Sequence, residues 1–239
     1  MPFIGLASAK FSYGRPIPPP VIPPAAVGGS LLFTASSTSG ISIPNDIDLR
    51  MGTGDFTIEW FQYQLTSSGA NQRIFSIGSY PSISIGVSQE GSDTSKTFYA
   101  WISGANTISS GLNLTNTWIH FALCRSGSTL RVFRNGTQLG SNISNSTNFS
   151  DTTNVLRIGN ESSTSATAAF NGYITNFHWV KGTALYTANF TRPTAPITPV
   201  ANTMLLLNAT TSGTAFTDSS GKGKTATGTG VAWNALSPF

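Results

Sequence analysis

The sequence predicts an all-β protein, an antiparallel two-sheet sandwich preceded by an extended, proline-rich N-terminal arm. Charged residues are only 9% of the 239-residue chain. Its polarity comes from Ser, Thr, Asn and Gly, which favour strand edges and turns over helix interiors. Short β-type runs recur between turn residues, and no segment sustains a 3.6-residue apolar period. Hydrophobic residues make up 39% of the chain, which is enough for a core and excludes a disordered protein.

Residues 1–29 are the predicted arm. Seven of the 13 prolines lie there, and the run from Arg15 to Pro24 is incompatible with a helix or a central strand, because proline fixes φ and lacks a backbone donor. We expect polyproline II, rising about 3.1 Å per residue. The arm is also apolar and has no acidic residue, so we expect it to bind a neighbouring subunit. The predicted contact residues are Phe3, Phe11, Tyr13, Arg15, Pro18, Pro19 and Pro20.

Residues 30–239 are the predicted sandwich domain. Asn135-Gly136 is the strongest hairpin signal, since a type I′ turn needs positive φ at both central residues. Asp218 is predicted to cap the turn that follows it, and Ser141–Asn154, rich in Ser, Thr and Asn, to be a long loop. The predicted strands are Ser30–Ala35, Gly40–Ile43, Asp55–Leu65, Gln72–Gly78, Ser82–Ser88, Thr97–Ser103, Trp118–Arg125, Thr129–Arg134, Val155–Gly159, Gly172–Val180 and Met204–Asn208.

Six phrases resemble the laminin G-like branch of the concanavalin A-like jelly rolls. The last two also resemble a variant common in virion proteins of tailed phages and large DNA viruses. The resemblance covers about residues 30–233 and implies an antiparallel jelly-roll sandwich. The phrases are Gly54–Trp60, Trp118–Leu123, Leu130–Gly136, Phe170–Phe177, Lys181–Pro193 and Asp218–Gly223.

The resemblance implies two functions of different classes. The first is a structural virion protein that decorates or cements a capsid or an appendage, with the arm tying it to neighbouring virion subunits. Such a protein would form a homo-oligomer within its assembly and reside in the virion after synthesis in the host cytoplasm. The alternative is a carbohydrate-binding, lectin-like adhesin that mediates host attachment.

We expect no enzyme activity. Some relatives of this fold cleave glucans with two carboxylates, which lie roughly 5–5.5 Å apart in a retaining site. Glu59 has no second acid beside it in the sequence. His120 and Cys124 lie four positions apart on one strand, hence about 13 Å apart, which is too far for a nucleophile and its base.

Calcium is the one cofactor the sequence leaves open, because laminin G-like relatives often hold it in rim loops. Zinc is not expected, since Cys/His spacing motifs are absent. The candidate glycan or calcium loop consists of Asn45, Asp46, Asp48 and Asp55, whose oxygens suit calcium. A glycan site is expected on this stretch and on the 141–154 loop. The aromatic rows Tyr99/Trp101 and Tyr173/Phe177/Trp179 are interpreted as core.

Composition argues against two further partners. The net charge of +4 comes from 13 basic and 9 acidic residues, and the basic ones are scattered, so no nucleic-acid footprint is predicted. No apolar run approaches the roughly 20 residues of a membrane span. The N-terminus lacks the charge and length of a signal peptide, and Cys124, the single cysteine, forms no internal disulfide.

Overall fold

Two antiparallel β-sheets make up the structure, a computed structural model that describes residues 28–66, 71–102, 104–161 and 168–239. All seven predicted contact residues of the arm, Phe3 to Pro20, lie outside these ranges. The described residues therefore confirm the predicted all-β, antiparallel sandwich and leave the arm as a prediction. No helix among them is long or apolar enough to cross a membrane.

One sheet has eight strands in the order β10-β9-β8-β3-β12-β1-β15, with β13 pairing beside β12. Strands are numbered in chain order. The bounds in this sheet are β1 Ser30–Thr34, β3 Phe56–Gln64, β8 Trp118–Ser126, β9 Thr129–Arg134, β10 Thr137–Ser144, β12 Asn171–Lys181, β13 Thr203–Leu207 and β15 Val231–Asn234.

The second sheet has seven strands in the order β14-β2-β11-β4-β5-β6-β7. Short 3₁₀ turns at Ile47–Leu49 and Ser212–Thr214 accompany the loops. The bounds in this sheet are β2 Gly40–Ile43, β4 Asn71–Ile77, β5 Ile85–Ser92, β6 Ser95–Ile102, β7 Ala105–Leu112, β11 Leu156–Ile158 and β14 Thr227–Thr229.

The core lies between the two sheets and is rich in aromatic rings. Trp60 stacks on Phe121 with ring centroids 5.6 Å apart, and it meets Phe75 of the opposite sheet edge-on at 5.7 Å. Gln62 and Gln89 form a reciprocal amide pair across the sheets, with N–O distances of 3.1 and 3.0 Å. A buried amide pair is tolerated because each amide satisfies the other.

The outer face of the eight-stranded sheet is also covered, by the connection from β12 to β13 and by the C-terminus. Ile197 and Phe239 pack on Phe61, whose ring is 5.1 Å from that of Phe239. Tyr186 stacks on Phe190 at 3.6 Å above the neighbouring strands. Part of the outer face of this sheet therefore has a packed layer in addition to the main core.

The structure corrects several strand predictions. β7 was missed, and β10 runs through Ser144 into the predicted 141–154 loop. Both are edge strands. Because an edge strand has solvent on one side and needs few apolar residues, its composition resembles that of a loop. The strand predicted at Ser82–Ser88 begins and ends later, as β5, and includes Glu90.

A bulge in β12 corrects the expectation that Tyr173, Phe177 and Trp179 share one face. Phe177 and Trp179 lie in the core as expected, but Tyr173 is half-buried outside it. The register shifts between Thr175 and His178, and Asn176 has φ of +54°. An extra residue in a strand reverses the facing of all that follow. The bulge therefore turns His178 to the outer face.

The Asn135-Gly136 turn has φ values of +50° and +82°, which confirms the predicted hairpin. A Cβ on Gly136 would also collide with the backbone carbonyl of Phe190.

We predict that Gly136→Ala destabilises the protein by about 1–3 kcal/mol more than Gly127→Ala. Gly127 is the matched control, because its φ is +57° with open space around the Cβ position. Urea unfolding measures both. Equal losses would mean that the Phe190 contact is not constraining.

Candidate functional site

The two loops predicted to form a glycan site meet at one end of the sandwich. The amide nitrogen of Asn45 donates to the carbonyls of Asp151 (3.1 Å) and Asn154 (2.8 Å). Its amide oxygen accepts from Arg50 at 2.8 Å. Gly52 and Phe149 exchange backbone hydrogen bonds of 3.0 Å. These contacts join segments about a hundred positions apart in sequence into one rim.

Asp151 fixes the second loop. Its carboxylate accepts from the Ser84 hydroxyl at 2.7 Å and from the backbone N–H groups of Thr153 (2.9 Å) and Asn154 (2.8 Å). Burial alone would raise the pKa of Asp151, but these hydrogen bonds hold it well below its usual range. The loop is thus anchored to the turn between β4 and β5, which carries Ser84.

An open groove of about 320 Å³ lies between this loop and the β4–β5 turn. Asn148 and Ser150 are exposed at its edge, so their polar groups are available to a ligand. Phe149 is 4% exposed and meets Phe56 edge-on at 5.8 Å, which fixes the groove to the core. The groove is lined by Ile83, Ser84, Thr147, Asn148, Phe149, Ser150 and Asp151.

Tyr80, in the same β4–β5 turn, is 65% exposed. Its ring meets that of Trp101 edge-on at 5.8 Å. Trp101 is 8% exposed, donates to Ser88 at 2.8 Å and lies 4.9 Å from the Arg73 guanidinium. Glu161 pairs with Arg73 at 3.1 Å and accepts from the backbone N–H of Tyr80 at 3.3 Å. An exposed ring is therefore held by buried partners.

Sequence reasoning missed Tyr80. Its one local signal was the Tyr-Pro pair inside a turn, which does not report exposure. The predicted core row Tyr99/Trp101 faces away from the core, which takes the alternate residues of β6; Trp101 is buried there and Tyr99 is half-buried. The aromatic ring most available to a ligand at this end is therefore in the turn and not in the predicted row.

The proposed calcium residues do not form a single shell. Asp46 and Asp48 both pair with the ammonium group of Lys224, at 2.8 and 2.7 Å. The hydrogen bond from Lys224 lowers the pKa of Asp46. Asp55 instead accepts from the backbone N–H of Gly127 at 2.7 Å. Within the described ranges, no group of three or more His, Cys, Asp or Glu residues is placed to hold a metal ion.

We predict that calcium leaves the melting temperature unchanged, because the Lys224 ammonium group already pairs with the two carboxylates that calcium would need. Differential scanning calorimetry in calcium chloride and in EDTA measures this, with magnesium as the control cation. A calcium-specific rise in melting temperature that disappears in Asp46→Asn would show that the ion displaces Lys224.

The covered face of the eight-stranded sheet contains a buried polar cluster around Glu59, which is 1% exposed. Its carboxylate accepts from His120 Nε2 at 2.9 Å, His178 Nδ1 at 2.8 Å and the Tyr186 hydroxyl at 2.9 Å. The second ring nitrogen of His178 lies 2.8 Å from the Thr203 hydroxyl. The bulge in β12 and the β3–β8 pairing bring these residues together, and spacing in sequence gave no sign of it.

Hydrogen bonding decides the charge state of Glu59. Burial alone would raise its pKa, but hydrogen bonds from His120 and His178 lower the pKa to about 2. Burial, and after it the same carboxylate, raises the pKa of Tyr186. Burial also raises the pKa of the Cys124 thiol to about 12, so this thiol is inert. Glu59 is therefore ionised under the covering segment.

We predict that Glu59→Gln destabilises the protein by about 3 kcal/mol at pH 7, since it leaves buried histidine donors poorly matched. Because the folded pKa is depressed, the stabilisation by Glu59 is present above about pH 4.5 and lost as pH falls through about 2. Glu90→Gln is the control; its carboxylate accepts from Ser88 in β5. Urea unfolding at several pH values measures the difference. A loss of unfolding free energy in Glu59→Gln that is as large at pH 2 as at pH 7 would contradict the assignment of this stabilisation to the Glu59 charge.

A known family matches the part of the chain that holds both the rim and the Glu59 cluster. The family described as the concanavalin A-like lectin/glucanases superfamily matches residues 35–186, well over half of the chain. The chain belongs to this superfamily. A search of curated proteins found no match.

Solved structures agree with the superfamily fold. A protein from Bacteroides ovatus inferred to bind carbohydrate aligns with a TM-score of 0.67 and 15% identity, covering 89% of this chain and 61% of its own. The heptameric SAP-like pentraxin of Limulus polyphemus aligns with a TM-score of 0.58 and 15% identity, covering 88% and 96%. This chain thus spans about three fifths of the Bacteroides protein. Identities this low establish the fold alone.

Proposed function

We propose that this member of the superfamily is a glycan-binding module whose site is the rim groove beside Tyr80. The observation that carries the proposal is an exposed aromatic ring, held by buried partners, in the turn that borders an open polar groove. Sugar-binding sites combine an apolar surface for the ring with a few placed polar groups that fix its orientation. Tyr80 supplies the first, and Asn148, Ser150 and Ser84 supply the second.

Rigidity supports this assignment. Ordering side chains on binding costs about 0.5–1.5 kcal/mol for each flexible group. Tyr80 is braced by Trp101, and the Asp151 hydrogen bonds fix the loop that carries Asn148. Both sides of the groove are therefore organised before a ligand arrives, which suits recognition on loops over a rigid scaffold. The Bacteroides relative is inferred to bind carbohydrate, which agrees with the proposal.

We further infer that the module binds without cleaving. Retaining hydrolysis needs a second carboxylate roughly 5–5.5 Å from the first. The hydrogen-bond partners of Glu59 in the described part of the chain are two histidines and a tyrosine. A carboxylate fixed in this way lacks the acid partner that the reaction requires.

A virion context remains part of the proposal and rests on the sequence. The proline-rich arm and the Lys181–Pro193 phrase, which is typical of virion proteins, support a role in a capsid or an appendage, in contact with other virion subunits. Single-site affinity for sugar is expected to be weak. Many copies on one particle raise the avidity by about 10²–10⁴. The two functions are then compatible, with the rim facing the host and the arm holding the assembly.

We predict that Tyr80→Ala weakens glycan binding at least about ten-fold, or about 1.4 kcal/mol, because it removes the stacking surface. Tyr99→Ala is the matched control, since Tyr99 is half-buried in the same sheet. An array spanning neutral, acidic and amino sugars identifies ligands of the full-length protein. Calorimetric titration with the strongest of these compares the variants. Equal affinity of Tyr80→Ala and wild type, or an array with no ligand for the intact protein or its multivalent form, would contradict the proposal.

A further inference from the structure

A row of half-buried apolar side chains crosses the outer face of the eight-stranded sheet. Trp118, Tyr63, Tyr173 and Leu32 are direct register partners on four neighbouring strands. Strands lie about 4.8 Å apart, so this aromatic row is about 14 Å long. It lies at the far end of β3 from the rim, since Gly52, four residues before β3, bridges to Phe149 in the rim.

The geometry of the rings selects the kind of ligand. Tyr63 meets Trp118 at 5.7 Å with an interplanar angle of 64°, and Tyr173 at 5.9 Å with 76°. Rings set edge-on leave notches between them and form no continuous flat plate. The indole N–H of Trp118 is buried and has no hydrogen-bond partner within the described residues. The row therefore offers notches and one spare donor.

The N-terminal arm joins the fold beside this row. A Cβ on Gly28 would lie 3.7 Å from Pro196 and 3.9 Å from Phe239. Phe239 packs on Phe61, two positions before Tyr63 in β3, and Trp118 packs against the same cluster. The run of six prolines and three aliphatic residues that ends at Pro24 is four residues from Gly28. At up to 3.6 Å per residue, those four residues span about 14 Å.

We propose that the segment Pro16–Pro24 of the same chain binds along the aromatic row as a polyproline II helix. Prolines would fill the notches, and one of their backbone carbonyls would accept from the Trp118 indole. Aromatic grooves recognise polyproline segments in this way, because the helix is preformed and its carbonyls are free. About five residues at about 3.1 Å each cover the row. This inference is independent of the proposed glycan site.

Tethering favours the segment's own domain over a second copy. A short flexible connection gives an effective concentration in the millimolar range, so a weak contact is populated within one molecule. A second copy would have to reach that concentration in solution. The arm would then be stored on its own sheet until a neighbouring subunit competes for it.

Paramagnetic broadening of tryptophan indole NMR signals tests the proposal on the full-length chain. A nitroxide on Ile17→Cys is selective, because Cys124 is 1% exposed and does not react. We expect the Trp118 signal to be several-fold weaker with the paramagnetic nitroxide than in the same sample after the nitroxide is reduced. The Trp101 signal, from the other sheet, should keep its intensity. Trp118→Phe assigns the signal.

Two variants separate binding from simple tethering. Replacing Pro18, Pro19 and Pro20 with Ser, or Tyr63 with Ser, should restore the Trp118 signal, whereas Tyr99→Ser on the other sheet should not. An unweakened Trp118 signal, or weakening that survives the proline replacements, would overturn the proposal. Weakening that occurs only when a spin-labelled molecule is mixed with an isotope-labelled one would overturn it in favour of a second copy.

Discussion

The Glu59 carboxylate is the interaction on which the arrangement of the molecule depends. It accepts from histidines on two neighbouring strands and from Tyr186 in the segment above them. Thr57 adds two more links to that segment, accepting from Leu185 at 2.8 Å and donating to a carbonyl at 3.1 Å. A buried charge is stable only when it is fully hydrogen-bonded. The covering segment is therefore fixed in place over this part of the sheet, beside an open groove of about 330 Å³ that Glu59, His178 and Tyr186 help to line.

The rim at one end of the sandwich is organised by a different set of contacts. Here the chain has polar side chains held by backbone contacts, and one exposed aromatic ring with a buried support. The Lys224 ammonium group pairs with the neighbouring Asp46 and Asp48.

The sequence was sufficient for the fold because the fold depends on patterns that local chemistry imposes. The Asn135-Gly136 turn and the cap at Asp218, which accepts from the Ser220 N–H at 2.9 Å, were predictable from single positions. Edge strands were not, since they need little apolar surface. The facing of His178 was not predictable either, because it depends on one bulge at Asn176. The rim required contacts between distant loops, which strand patterns do not encode.

Backbone NMR chemical-shift mapping with the strongest array ligand tests the central claim most directly. On the present account, the perturbed residues cluster around Tyr80, Ser84 and Asn148 in wild-type protein. Perturbation centred on Trp118 and Tyr63, at the opposite end of β3, with the rim unaffected, would contradict it.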